Sequence, residues 1–228
     1  MQKNKKNILA LIPARSGSES IKDKNIKFYK GKPLLAHSIN IAKKSSLINK
    51  IIVSTDSKKY KKISEKFGAE VPFLRPKKIS SSKSLDIDFI KHCFNYLENL
   101  NYFPDVIILL RPTSPNRKVK TLDKGIKFFL KNFNRYDSMR SVSTFNQPPQ
   151  KLFQIKNNRL IGFFDKYLGG EYHSKPRQNF PNTYLPNGYI DAFKPDFFMK
   201  KKNQLFGKIL PFITEEILDI DEKKDFKK

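Results

Sequence analysis

Short apolar runs rich in Ile, Val and Leu alternate along this chain with longer stretches whose apolar residues recur at helical spacing, the pattern of repeated strand–helix–strand units. Ile8 to Ile12 reads as the first strand, and Leu34 to Lys44 as the first helix, with Pro33 suited to its opening turn. Ile51-Ile52-Val53 predicts a second strand, followed by a helix to Phe67 that Asp56 or Ser57 can cap and Gly68 closes. Val71 to Leu74 reads as a short strand or extended segment. A polar loop at Ser80–Ser84 then precedes a helix with Ile87, Ile90, Phe94 and Leu97 on one face. Val106 to Leu110 is a buried strand that stops at Arg111-Pro112-Thr113-Ser114-Pro115, where two prolines forbid regular structure. A helix over Thr121–Leu130 and a strand over Met139–Phe145 follow.

From Gln147 the texture changes to Pro, Asn, Gly and aromatic residues, with a hairpin whose arms are Leu152–Ile155 and Leu160–Ile161 around Lys156–Arg159. Core-like strands resume at Gly188–Phe193 and Ile209–Ile213. The expectation is an α/β fold over residues 1–228, a mostly parallel sheet flanked by helices in one domain, with 147–186 inserted. Long segments of this kind are commonly functional or contact another subunit.

Composition narrows the function classes. The net charge of +25 invites a nucleic-acid reading, but of the 46 basic residues only eight are Arg. The remaining Lys are spread through every segment, not gathered into a stripe, so no specific nucleic-acid partner is expected. No apolar run approaches the length that crosses a bilayer, and the basic start leads into a strand, so a soluble cytoplasmic protein without a membrane partner is expected. One Cys excludes an internal disulfide, and three His give no zinc-type cluster. Cys93 reads as a small apolar filler, and His37 and His92 as helix-face residues. His173, near Arg177, is divided evenly between ligand contact and surface.

Candidate chemistry lies where strands end. In an open parallel sheet, ligands sit beyond the carboxyl ends of the strands. Arg15 to Asn25, Ser54-Thr55-Asp56, Arg75 and Arg111 to Pro115 each follow a predicted strand, so all four gather at one rim. The first loop sets Arg15, Ser16, Gly17, Ser18 and Lys24 close together, supplying backbone N–H groups and positive charge suited to a polyphosphate. Asp219 and Asp221 alternate across Ile220, so on an extended segment both carboxylates project to one side and can share a hard cation; the competing reading is that they cap a short helix beginning at Glu222.

The Ala14-to-Asn25 loop resembles the ARxGSKGxxxKN signature of the CMP-sialic acid synthetase family, the acylneuraminate cytidylyltransferases. The likeness continues in order through Leu74-Arg75-Pro76, Pro112-Thr113-Ser114-Pro115, Lys151, Arg177-Gln178, Pro186-Asn187-Gly188 and Asp219-Ile220-Asp221 with Asp225. The resemblance implies a Rossmann-like fold of the nucleotide-diphospho-sugar transferase type and a reaction in which the anomeric hydroxyl of a 2-keto sugar acid attacks the α-phosphate of CTP. It implies Mg²⁺ as cofactor and a homodimer whose 147–186 segments meet a partner subunit.

Carried over by position, Arg15 and Lys24 hold the triphosphate, and amides near Ser16, Gly17 and Ser18 cradle it. Asn25, Arg75, Thr113 and Ser114 fall on the nucleotide side, and Asp86 or Asp88 lies near the same edge. Arg111, Lys151, Arg177, Gln178 and Asn187 face the sugar acid, some reaching across from the partner, and Asp219 and Asp221 hold Mg²⁺. Arg15, Lys24, Asp219 and Asp221 are the implied catalytic set.

The chain departs from the family pattern at Glu19-Ser20, where Lys-Gly is usual, and at Arg111, where Gln is common. Leu185 stands where enzymes for sialic acid often have Arg, and Tyr189-Ile190-Asp191 replaces Ala-Ile-Tyr. These changes cluster on the sugar side and point toward a legionaminic- or pseudaminic-type acceptor. The acidic pair lies close to Lys228, so the terminal helix of relatives is expected to be very short or missing. Two alternatives remain open: a CMP-KDO-type or other sugar nucleotidyltransferase, and a nucleotide-binding relative that has lost catalysis.

Overall fold

The computed structural model describes residues 6–201 and 204–228. In chain order the elements are β1 (Ile8–Pro13), β2 (Phe28–Tyr29), β3 (Lys32–Pro33), α1 (Leu34–Lys44), β4 (Lys50–Ser54), α2 (Lys58–Lys66), α3 (Asp86–Glu98) and β5 (Val106–Leu109). They continue with α4 (Val119–Lys131), β6 (Ser138–Phe145), β7 (Phe153–Lys156), β8 (Arg159–Gly162), α5 (Asp165–Leu168), β9 (Thr183–Phe193), α6 (Pro195–Lys200) and β10 (Ile209–Ile213). A six-stranded sheet runs β10-β6-β9-β5-β1-β4. β1 is parallel to β4 and β5, and β10 to β6, while β9 runs antiparallel to both of its neighbours.

Side-chain alternation explains the three layers. Leu9 and Leu11 face one side, where Ile52, Ile107 and Leu109 meet Ile87, Ile90, Cys93 and Leu97 of α3 and Phe198 of α6. Ile8, Ala10 and Ile12 face the other, against Leu35, Ile39 and Ala42 of α1 and Leu122, Ile126 and Phe129 of α4. Each fully buried Leu or Ile here contributes about 1.5–3 kcal/mol relative to exposure. Burial pushes the Cys93 thiol up to about 12, as befits an apolar filler.

β9 begins at Thr183, earlier than the apolar run at Gly188 suggests, and the residues from Thr183 to Pro186, expected in the insertion, pair with β6 from Phe145 back to Val142. Their side chains are largely exposed or half-buried, so no core signal marks them. The register then shifts between Arg140 and Val142, so that Asn187 to Ile190 lie opposite Ser141 alone. Ser141 Oγ accepts from the Ile190 amide at 2.9 Å, and Gly188 takes φ +68°, a backbone that L side chains rarely adopt. This irregularity brings Gly188 to the sheet's functional rim.

Within the remaining insertion β7 and β8 form a ribbon, turned by Asn157 and Asn158 at φ 51° and 56°, with every residue of β7 exposed. A third small core of Tyr29, Leu34 and Ile220 pins the carboxyl-terminal strip to the start of α1.

Candidate active site

Because β1, β4 and β5 are parallel neighbours, the loops that follow them emerge side by side. They enclose an open cleft of about 420 Å³ lined by Arg15, Ser18, Glu19, Lys24, Asn25, Arg75, Asp86, Arg111 and Thr113, with Ser81, Ser82 and Ser84 along one edge.

The first loop is tied down from several sides. Asp56 accepts from both the amide and the hydroxyl of Ser16 at 2.8 Å, while Ser57 is the residue that caps α2, accepting from the Tyr60 amide. Asn25 is buried and donates Nδ2 to the Arg15 carbonyl at 3.0 Å. Tyr60 donates its hydroxyl to Asp23 at 3.1 Å, and burial followed by that carboxylate raises the phenol's pKa. Within this frame Arg15 Nη1 is buried without a hydrogen-bond partner among the described residues, a state that costs about 1–3 kcal/mol and that an anionic oxygen in the cleft would relieve.

The amide of Ser16 is spent on Asp56 and that of Ser18 donates to the Ser16 carbonyl at 3.0 Å, so these two groups hold the loop's shape. Ser18 reaches the cleft wall, whereas Ser16 and Gly17 do not line it. Arg75 is buried, donating Nε to Ser54 Oγ at 3.0 Å and Nη2 to the Ser54 carbonyl at 2.6 Å, and it stacks on Phe89 at 4.6 Å. Burial lowers its pKa to about 10, which leaves it a cation at neutral pH.

The acidic strip meets this cleft. Ile220 is fully buried, and its amide donates to the Thr113 carbonyl at 2.8 Å, which docks the strip on the proline turn after β5. Flanking it, Asp219 and Asp221 are exposed, and Asp221 accepts from Lys24 Nζ at 3.0 Å. The two motifs at opposite ends of the sequence therefore converge. Helix capping falls to another group: Asp225 Oδ2 accepts from the Glu222 amide at 2.9 Å and the Asp221 amide at 3.2 Å, freeing Asp219 and Asp221 from that duty.

A second cavity of about 350 Å³ adjoins the cleft and shares Arg111 with it; Arg140, Ser143, Leu185, Asn187, Asp191 and Asp219 are among its walls. Arg111 donates to Asp86 at 2.5 Å on the cleft side and to Asp191 at 2.8 Å on the other, and Arg140 pairs with the same Asp191 at 3.1 Å. Asn187 is held by Thr214 at 2.6 Å.

Ser114 is buried beneath the turn, its hydroxyl on the Gly188 carbonyl at 3.4 Å. Arg177 and Gln178 line a separate pocket beside Thr144 and Phe145, and Lys151, on a short turn of 3₁₀ helix, lines neither cavity of the rim. Within one chain these three stand apart from the cleft. His173 packs edge-on against Phe153 at 4.7 Å, outside the cleft.

Among the described residues no group of three or more His, Cys, Asp or Glu is arranged as a metal cage. The donor set of Asp219 and Asp221 is two hard oxygen ligands beside a phosphate-competent loop. That suits Mg²⁺, which typically takes one or two carboxylates together with phosphate oxygens and water.

Two important residues carry no motif. Arg117 is buried under the proline turn and donates to the carbonyls of Arg111, Ser114, Gly188 and Tyr189 and to Ser38 Oγ, over 2.6–3.1 Å. Arg140 sits mid-strand. The available signal is substitution bias: where Lys dominates, five of the eight Arg, at 15, 75, 111, 117 and 140, gather at this rim.

A family model described as Cytidylyltransferase matches residues 9–226. An N-acylneuraminate cytidylyltransferase of Escherichia coli is 34% identical over 222 residues, covering 96% of this chain but only 50% of the relative, so the chain spans about half that protein's length. A pseudaminic acid cytidylyltransferase of Campylobacter jejuni is 30% identical over 224 residues, covering 95% of this chain and 92% of the relative. Among solved structures, a CMP:2-keto-3-deoxy-manno-octonic acid synthetase complexed with CTP superimposes with TM-score 0.68 at 13% identity over 97% of this chain and 95% of that one, a likeness of fold.

Proposed function

Because the chain belongs to the cytidylyltransferase family, we propose that it transfers CMP from CTP to the anomeric hydroxyl of a nonulosonic sugar acid and releases pyrophosphate. The observation that carries this reading is the 3.0 Å contact between Lys24 and Asp221, which brings the basic loop and the acid pair to one cleft mouth. The cleft takes CTP, with Arg15 and Lys24 on the triphosphate and Asn25, Arg75 and Thr113 fixing the nucleotide. The adjoining cavity takes the acceptor, so the two substrates meet beside Arg111.

In the reaction the anomeric oxygen bonds to the α-phosphorus and gives up its proton to water, while the bond from that phosphorus to the bridging oxygen of the β-phosphate breaks. Such a step needs positioning and charge neutralisation more than covalent help. Arg15 and Lys24 neutralise charge on the departing pyrophosphate, and the Ser16–Asp56 clasp holds Arg15's loop still while it does so. Asp219 and Asp221 would hold Mg²⁺, which supplies Lewis-acid polarisation of the α-phosphate when bound.

A homodimer is part of the same proposal, supported by the apolar residues that the inserted segment leaves exposed, among them Ile155 at 78%, Leu160 at 69% and Tyr167 at 77%. A partner's segment could then bring Lys151, Arg177 and Gln178 to the acceptor. A monomeric solution mass at micromolar concentration would remove this element. No helix of the described residues is long and apolar enough to cross a membrane, and a cytoplasmic location fits the use of CTP.

The direct test is incubation with CTP, Mg²⁺ and a panel of 2-keto sugar acids, including sialic-, legionaminic-, pseudaminic- and octonic-acid types, with pyrophosphate release as readout. Release with at least one nonulosonic acid is expected, and silence with all of them refutes the assignment.

A further inference from the structure

We propose that Arg140 is a specificity-determining residue of the acceptor cavity, its free guanidinium edge receiving the carboxylate of the sugar acid. This rests on the reading of that cavity as the acceptor site. The guanidinium stacks on Phe206 at 3.9 Å, and Asp191 grips it side-on, with Nε to Oδ1 at 3.1 Å and Nη2 to Oδ2 at 3.4 Å. Among the described residues Nη1 donates to no protein acceptor, and the side chain keeps 29% of its surface open on a cavity wall.

Asp191 is itself buried at 3% exposure, and both of its oxygens are spent on Arg140 and Arg111. It therefore acts as a buttress that fixes two forks, not as a ligand. The opposing charges differ in kind. Arg111 has both Nη groups committed, to Asp191 and Asp86, whereas among the described residues Arg140 has one acidic partner and its Nη1 is uncommitted. The other carboxylates on the walls, Glu216 and Asp219, are exposed and lie on the strip that follows β10. A planar two-oxygen anion matches a locked guanidinium edge better than a hydroxyl does.

The experiment compares wild type, Arg140→Lys and Arg140→Met with CTP, Mg²⁺ and the best acid of the panel, and with the carboxamide of that acid. For Arg140→Met, KM for the acid should rise about 10- to 100-fold, the loss of a charge-assisted contact, with KM for CTP unchanged. Preference for the acid over its carboxamide should collapse in parallel, and Arg140→Lys should recover part of it. A lowered Tm with both KM for the acid and the acid-to-carboxamide preference unchanged would assign Arg140 a structural role and overturn the proposal.

Thermal shift with the acid alone separates this from the assignment of activity. If wild type releases no pyrophosphate, a shift seen in wild type and lost in Arg140→Met still supports the contact. An equal shift in both, or none in either, overturns it.

Discussion

Replacing Arg117 by Met should both destabilise the protein and loosen the cleft. The buried guanidinium lies under the Pro112–Pro115 turn and donates to four carbonyls and one hydroxyl, all of them buried or part-buried. Met fills most of the volume, so the cavity contribution is small and the loss is polar. Hydrogen bonds from a charged donor contribute about 1.5–3 kcal/mol each, but they are not additive, and removing the cation from such a cluster costs about 3–5 kcal/mol in all. For a domain of this size each kcal/mol moves Tm by about 2–4 °C, so a fall of roughly 8–16 °C follows from a loss near 4 kcal/mol. The turn that carries Thr113 loses its tie to Gly188, made through the carbonyls of Arg111 and Ser114, so KM for CTP should rise as well. Arg117→Lys keeps the charge but not the fork, and should recover less than half of the lost Tm. Thermal unfolding followed by circular dichroism is the assay, and a Tm for Arg117→Met within about 3 °C of wild type would show that these contacts do not hold the turn.

Asp221→Asn should cut turnover by about 100-fold or more through loss of charge at the metal position, while Tm moves by about 2 °C at most, because the pair it makes with Lys24 is exposed on the Asp221 side; retained turnover would remove Asp221 from the metal assignment. Glu19 lines the cleft, so Glu19→Lys should lower KM for CTP roughly fivefold, from a Coulomb gain near 1 kcal/mol, and the gain should shrink as ionic strength rises; a KM insensitive to the change would mean that the carboxylate faces away from the triphosphate. Asp225 is held down from 3.8 to about 2, first by the Glu222 amide and then by Lys228. Its folded pKa lies below its unfolded one, so its stabilisation is complete above pH 3.8 and is lost as pH falls toward about 2. The difference in urea midpoint between wild type and Asp225→Asn should therefore be constant near neutrality and narrow below pH 3.8, and a constant gap down to pH 2.5 would contradict the assignment.

Much of this architecture is legible in residue pattern. The runs Ile8–Ile12, Ile51–Val53 and Val106–Leu110 read as buried strands because parallel strands are covered on both faces, and the polar ends of those strands do meet at one rim. β9 is less legible, since apolar content marks only its second half and nothing in local sequence gives its antiparallel direction. The choice between Asp56 and Ser57 as a cap could not be made from spacing, because Asp56 is claimed by Ser16 from another loop, a long-range contact. Arg140 and Arg117 escape motif reading for the same reason: their roles depend on which carbonyls, rings and carboxylates the fold delivers to them.

The strut from the Ile220 amide to the Thr113 carbonyl also has a bearing on when the protein becomes competent. Lys24 and Asp221 are separated by 197 positions, so the pocket is assembled from two parts of the polypeptide that leave the ribosome far apart in time. Local helices and the β1–β4 pairing can form during synthesis, but the chamber closes only once residue 221 is free of the exit tunnel. Until then a nascent chain cannot engage the ligand that the finished rim is shaped to hold.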